Sequence, residues 1–252
     1  MTLMISFQDQ FVLVTGGTRG IGAAIAKEIV TCKGNIIITG TSVEPPPWIF
    51  EFAKQFPNQT IDYQQIDFAK EGWTERLNEI IGKYQKISVC INNAGINIVS
   101  DIRKVSIEDL RKVLEVNLIG PAMIISRLAP LMAERGYGRI VNISSVFGIV
   151  SRAGRSSYSA AKAGLIGQTR ACALDLAKDG ILVNAVCPGF VATDLTRKIL
   201  GEKGMVEVVK RIPLGRLAEC NDIVPSVLFL ASEINTYITG QILVVDGGYL
   251  VD

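Results

Sequence analysis

Seven short, almost unbroken apolar runs recur along the chain: Phe11–Thr15, Asn35–Thr39, Thr60–Ile66, Ile87–Asn92, Arg139–Ile143, Ile181–Val186 and Gln241–Val245. Runs of this kind suit parallel strands covered on both faces, where no side is left to solvent. Between them, apolar residues recur with helical period at about 20–33, 72–84, 106–134, 156–179 and 219–232. Gly34, Gly180 and Gly201 stand where such helices would stop. Strand alternating with helix predicts an α/β protein, a doubly wound parallel sheet with helices on both faces. No repeat, low-complexity tract or linker interrupts the pattern, so one domain over residues 1–252 is expected. Two stretches are less regular. Pro45, Pro46 and Pro47 forbid a helix interior, so Glu44–Phe52 reads as a turn that opens a helix near Trp48. The stretch Phe190–Leu214 is long for a connection, as lids and substrate-binding loops are, and Met205–Lys210 suits a short helix within it.

Composition then removes whole classes of function. With 48% hydrophobic and 20% charged residues, a chain of 252 residues has the makings of a globular core and needs no disulfide or structural metal. A formal charge of +2 lacks the concentrated basic face of a nucleic-acid binder. Five cysteines (Cys32, Cys90, Cys172, Cys187 and Cys220) are scattered without CxxC spacing, four of them among apolar neighbours. Free thiols packed as small hydrophobes, in a reducing compartment, are the simplest account. No stretch approaches the ~20 apolar residues of a membrane helix, and residues 1–10 do not resemble a secretory leader. A cytoplasmic protein without membrane or nucleic-acid partners is expected. The chain contains no histidine, which excludes a Ser-His-Asp triad, an HExxH zinc site and an imidazole base together. Any proton transfer must use another side chain.

Directly after the first run comes Thr15-Gly16-Gly17-Thr18-Arg19-Gly20-Ile21-Gly22, opening a helical stretch. Glycines there let backbone approach a pyrophosphate, which rests on the N–H groups at the positive end of the new helix. This predicts a dinucleotide site. The second strand ends Ile38-Thr39-Gly40-Thr41-Ser42, with no carboxylate before Glu44 to hold a ribose 2′-hydroxyl. Thr41 and Ser42 are hydrogen-bond donors, and the Arg19 fork matches a phosphate, so NADP is favoured over NAD. The opposing reading leaves Arg19 in solvent and turns Glu44 back to the ribose. At the carboxyl ends of the next strands, Asp67 can accept from an adenine amino group with Phe68 beside the ring. There too stands Asn92-Asn93-Ala94-Gly95, where Asn92 is equally a turn residue.

Tyr158 and Lys162 are four apart in a helical stretch and share a face. A phenol titrates near pH 10, but an adjacent ammonium and the positive nicotinamide of an oxidised cofactor favour phenolate. Without histidine this is the best-suited acid–base pair in the chain. Ser145, at the end of the fifth run, is placed to hydrogen-bond a substrate oxygen as charge develops. With these residues quoted, the chain resembles a short-chain dehydrogenase/reductase from Phe7 to its end. TGxxxGxG matches Thr15, Gly16, Gly20 and Gly22, NNAG matches Asn92–Gly95, and the Ser and YxxxK match Ser145, Tyr158 and Lys162. The family's helix asparagine matches Asn117, and its Pro-Gly matches Pro188-Gly189.

That resemblance implies a single-domain Rossmann fold with a seven-stranded sheet in the order 3-2-1-4-5-6-7. It implies Tyr158 as general acid/base, Lys162 on the nicotinamide ribose and lowering the Tyr158 pKa, Ser145 on the carbonyl, and Asn117 holding a water that relays protons to Lys162. Asn93, Ala94 and Gly95 would border the dinucleotide, and Pro188, Gly189, Val191 and Thr193 its nicotinamide end, Thr193 being equally an ordinary helix cap. Ile96, Phe147, Ile149, Val150 and Phe190 would wall the substrate pocket, or simply pack the core. Arg152 and Arg155 flank that wall and would draw an anionic substrate, though solvated surface arginines are the commoner outcome. Within the family, the stretches around Arg139–Ser145, Pro213–Arg216 and Thr239–Gly248 resemble 3-oxoacyl-carrier-protein reductases and related sugar and alcohol dehydrogenases. Those relatives are mostly homotetramers, and the helices at 106–134 and 156–179 resemble their dimer-forming pair, unless their apolar residues are only a sheet-facing stripe. Where carrier-protein reductases present basic residues, this chain has Arg135 and Lys178 but also Asp179.

The expected activity is reduction of a ketone or 3-oxoacyl-type carbonyl by NADPH. Oxidation of a secondary alcohol, such as a sugar, polyol or steroid, by NAD(P) is the alternative. A nucleotide-sensing regulator without turnover belongs to another class, and the joint presence of Asn117, Ser145, Tyr158 and Lys162 argues against it.

Overall fold

The computed structural model describes residues 4–251. Its strands are β1 (Phe11–Val14), β2 (Asn35–Gly40), β3 (Ile61–Gln65), β4 (Ile87–Asn92), β5 (Gly138–Ile143), β6 (Ile181–Pro188) and β7 (Ile242–Val245). They form one parallel sheet in the order 3-2-1-4-5-6-7. The helices are α1 (Gly20–Thr31), α2 (Pro47–Gln55), α3 (Trp73–Lys83), α4 (Ile107–Leu114), α5 (Gly120–Ala133), α6 (Ser156–Leu176), α7 (Asp194–Val209) and α8 (Cys220–Ala231).

The unbroken apolar runs are explained by burial on both faces. Val12, Val14, Ile36 and Ile38 join the core under α1 and α8, while Leu13 and Ile37 join the core under α3 and α5. Each such side chain contributes roughly 1.5–3 kcal/mol when fully buried, so alternate residues of one strand hold opposite helical layers. A third, smaller cluster of Phe147, Phe190, Val208, Ile212 and Tyr249 lies beyond the carboxyl edge of the sheet and packs against Tyr158.

Several expected elements differ in detail. The helix at 106–134 is α4 and α5 joined through a π-helical turn, Glu115–Ile119, that contains Asn117. The merged helix Ile107–Ala133 is, by length and hydropathy, apolar enough to cross a membrane, contrary to expectation. Here its apolar side packs on α3, α6 and the sheet. The segment 190–214 holds far more helix than Met205–Lys210. α7 runs Asp194–Val209, interrupted at Gly201, whose φ of 60° and ψ of 178° end one helical piece and start the next. Gly180 stops its helix in a left-handed conformation, but Gly34 does not. Lys33 takes the left-handed position, and Gly34 is needed because a Cβ there would lie 2.6 Å from Ile29 and 2.9 Å from Phe7.

Buried polar residues tie β4, β5 and α6 together. Asn92 Nδ2 donates to Asn142 Oδ1 at 2.8 Å, Asn142 Nδ2 donates to Thr169 Oγ1 at 2.9 Å, and Thr169 Oγ1 donates to the Leu165 carbonyl at 2.7 Å. Asn92 is therefore a strand-to-strand link rather than a turn residue. Removing the central amide leaves buried donor and acceptor groups without partners, each costing about 1–3 kcal/mol. Asn142→Ala should lower stability by about 2 kcal/mol or more, read as a lower urea midpoint with an unchanged m value.

Candidate active site

An opening of about 470 Å³ runs along the carboxyl edge of the sheet, from the β1–α1 loop to the start of α7. At one end the chain from Gly16 to Gly22 wraps the N-terminus of α1. Gly16 has φ of 61°, and a Cβ there would sit 2.9 Å from Ala94 Cα. A Cβ on Gly22 would sit 2.4 Å from both Asn93 Nδ2 and the Gly16 carbonyl. The loop is locked to the turn after β4: Thr15 Oγ1 accepts from the Asn93 and Ala94 N–H groups, and Asn93 Nδ2 donates to the Thr15 and Gly16 carbonyls, all at 3.0 Å. A side chain at Gly16 or Gly22 would prevent this packing. The result is a bare backbone cradle at a helix N-terminus, which fits a dinucleotide pyrophosphate.

Gly16, Thr18, Arg19, Gly20, Ile21, Gly22, Thr41, Asp67, Phe68, Asn93, Ala94, Gly95, Pro188, Gly189, Val191 and Thr193 all border this opening. Ser42 does not. It is exposed, and its carbonyl accepts from the Tyr63 hydroxyl. Glu44 is exposed and also lies outside the lining. Asp67 Oδ1 accepts from the Ala69 N–H at 3.0 Å, and the Phe68 ring meets Trp73 edge-on with centroids 5.3 Å apart. Thr193 Oγ1 caps α7 by accepting from the Thr196 N–H.

At the other end stand Ser145, Tyr158 and Lys162. Lys162, buried in α6, donates from Nζ to the Ile143 carbonyl at 2.8 Å, and the Ser144 hydroxyl donates to the Lys162 carbonyl at 3.0 Å. Burial pushes the Lys162 ammonium down to about 8. Burial likewise pushes the Tyr158 phenol up, while the Ser145 hydroxyl and the Arg155 charge pull it down. The Lys162 ammonium is turned to Ile143 and lies 5.8 Å from the Tyr158 ring centroid. Asn117 is fully buried and does not itself line the opening. Its amide donates to the Ile96 and Val113 carbonyls and accepts from the Ile96 N–H, which fixes the backbone beneath Gly95. The π turn around it is of a kind that recurs at functional sites.

A smaller cavity of about 80 Å³ adjoins Ser145 and Tyr158. Phe147 and Phe190 wall it, while Ile96 lines the larger opening. Ile149 and Val150 do not take part. They are 49% and 42% exposed, carried outward where the chain leaves the single 3-10 turn Val146–Gly148. Sequence reasoning missed Asn97 on the β4 exit, and Leu195, Thr196, Ile199 and Leu200 from α7, because it left that segment largely irregular. Of the two readings left open for Arg155, solvated surface does not hold: it is 5% exposed and borders the small cavity. Its position three residues before Tyr158 was the available signal. Arg152 is exposed, as a surface arginine should be.

A family profile described as "Enoyl-(Acyl carrier protein) reductase" matches residues 16–250. The chain is 39% identical over 245 residues to the 3-oxoacyl-[acyl-carrier-protein] reductase FabG of Aquifex aeolicus, covering 97% of this chain and 98% of that protein. It is 36% identical over 239 residues to the protein of the same name from Thermotoga maritima, covering 95% and 97%. Among solved structures, a gluconate 5-dehydrogenase from Burkholderia cenocepacia in complex with NADP and tartrate superposes with a TM-score of 0.91 at 27% identity, covering 98% of each chain. A putative NAD(P)-dependent gluconate 5-dehydrogenase from Beutenbergia cavernae with bound NADP gives 0.89 at 31%, covering 98% and 99%. Sheet order, glycine cradle and matched length agree, and the chain belongs to the short-chain dehydrogenase/reductase family of oxidoreductases.

Proposed function

We propose that this protein interconverts a ketone and a secondary alcohol with NADP(H), working in reduction on a ketone or 3-oxoacyl-type carbonyl. The observation that carries this reading is that Ser145, Tyr158 and Lys162 border the same opening as the glycine cradle. Bound NADPH supplies the hydride that the carbonyl carbon receives. The Ser145 hydroxyl donates to the carbonyl oxygen as negative charge gathers there. Tyr158 gives that oxygen its proton, completing the alcohol, and the resulting phenolate is favoured by the nearby Arg155 charge. Lys162, anchored on Ile143, would hold the ribose hydroxyls of the dinucleotide and would set its positive charge in the site. Asn117 acts through Ile96 and Gly95 rather than by contact, keeping the floor of the site in place.

Arg19 and Thr41 at the adenosine end, with Glu44 turned away, support NADP over NAD. Segment 190–214 supplies the substrate wall through the first half of α7. A carrier-protein substrate has less support than a free one. The Arg135 guanidinium donates to the Gln85 and Ile87 carbonyls, leaving little of it for an acidic partner, and Asp179 would repel one. Oxidation of a secondary alcohol is the second reading, supported by the gluconate dehydrogenases among the structural neighbours. Assembly as a homotetramer in the cytoplasm belongs to this proposal too; Leu174, 81% exposed on α6, supports a covered face there.

Tyr158→Phe should bind NADPH as the wild type does and lose roughly 10²–10⁴-fold in kcat, the usual contribution of a positioned proton donor. Unchanged turnover would reject the assigned role. NADPH should bind well below the concentration needed for NADH, as followed by nicotinamide fluorescence. Arg19→Ala should weaken NADPH alone, by about tenfold or more, the loss of a charge-assisted hydrogen bond. Affinity should also depend on pH. Below about 8 Lys162 in the free protein carries its charge and favours the anionic dinucleotide, and above that value it is neutral. NADPH binding should therefore weaken as pH rises through 8, with an inflection that Lys162→Met removes.

A further inference from the structure

Arg155 is buried to 5% exposure on the last residue before α6, yet its Nε and Nη1 have no hydrogen-bond partner. Buried guanidinium groups are almost always paired, since an unpaired charge out of water is costly. None of the ion pairs among the described residues involves it, and the charges that bear on it are Arg152 and Tyr158, with no carboxylate among them. The Phe147 ring lies beside it, 5.9 Å from the guanidinium carbon to the ring centroid. A guanidinium without an ion pair keeps its planar N–H donors available, the group that grips a carboxylate with two parallel bonds.

Arg155 lines the cavity that also touches Ser145 and Tyr158. Asn97 borders the same space, and its buried Oδ1 likewise lacks a partner, leaving an acceptor for a substrate hydroxyl. The cavity of about 80 Å³ is smaller than the 150 Å³ that holds a benzene ring, so it takes a short fragment and not an acyl chain. Arg155 and Tyr158 are three residues apart, about one helical turn or roughly 5 Å along the axis, so the anionic group sits a few bonds from the reacting carbon.

We infer that Arg155 is a specificity-determining residue that binds the free carboxylate of the substrate, which is a short oxo acid in reduction and the matching hydroxy acid in oxidation. This rests on the oxidoreductase reading above and narrows it, since neutral ketones and carrier-bound thioesters offer the guanidinium no counter-charge. The exposed Arg152 adds positive potential near the same group and helps draw the anion in.

The test compares 3-oxobutanoate and 4-oxopentanoate with their methyl esters under NADPH, at constant ionic strength. The wild type should show kcat/KM for one of these acids at least tenfold above its ester, a ratio that Arg155→Gln brings close to one and Arg155→Lys restores in part. A phosphonate in place of the carboxylate separates phosphate from carboxylate recognition, and its preference over the acid would overturn the carboxylate assignment. Binding gives an independent measure. With NADPH bound, succinate should raise the melting temperature of the wild type but not of Arg155→Gln, whose NADPH affinity serves as the check on folding. The proposal fails if the esters are preferred, if Arg155→Gln keeps the wild-type ratio, or if succinate stabilises neither protein or both equally. Retained turnover in Tyr158→Phe would instead sink the reductase reading, whatever Arg155 does.

Discussion

The bond from the Lys162 ammonium to the Ile143 carbonyl sets the terms for everything near it. An amine 3% exposed loses most of its hydration, and one backbone oxygen at 2.8 Å replaces only part of that. Its acidity rises as a result, to a pKa of about 8, so the ammonium keeps its charge at neutral pH and loses it a little above. The same bond fastens the middle of α6 to the end of β5. Because Tyr158 stands one turn away on that helix, the phenol inherits its position from the lysine's anchor. The Asn92–Asn142–Thr169 chain repeats the connection one layer deeper, so sheet and helix cannot shift independently without exposing orphaned polar groups.

A parallel sheet provides the other half of the arrangement. All seven strands point the same way, so their carboxyl ends and the helix N-termini that follow gather along one edge. There the glycine loop brings backbone donors, β4 and β5 bring the site floor, and β6 leads into α7. None of these parts makes a site alone. The elements meet because α1 and α8 cover one face of the sheet while α3, α5 and α6 cover the other, leaving only the edge open.

Much of this was legible in the sequence. The strand runs matched all seven strands to within two residues, most plainly in β2, β4 and β5, where burial on both faces calls for runs of Ile and Val. The glycine loop was legible because few other residues tolerate the contacts at Gly16 and Gly22. What the chain hid was tertiary. Ser42 and Ile149 carry plausible chemistry at plausible positions, and only the path of the backbone turns them outward. Arg155 erred the other way: charge suggests solvent, and burial against Phe147 depends on where the turn Val146–Gly148 folds back. The merged helix around Asn117 read as continuous because a π turn leaves no mark on apolar spacing.

Gly201 divides α7 into two pieces with different obligations. The later piece carries Val208 into the cluster with Ile212 and Tyr249, and so is bound to the fold. The earlier piece carries Leu195, Thr196, Ile199 and Leu200, which line the cavity, and none of its residues is fully buried. A hinge at that point lets one half be rewritten while the other keeps its grip. Chains built on this plan can therefore drift toward new substrates through residues 194–200, with the rest of the molecule left as it was.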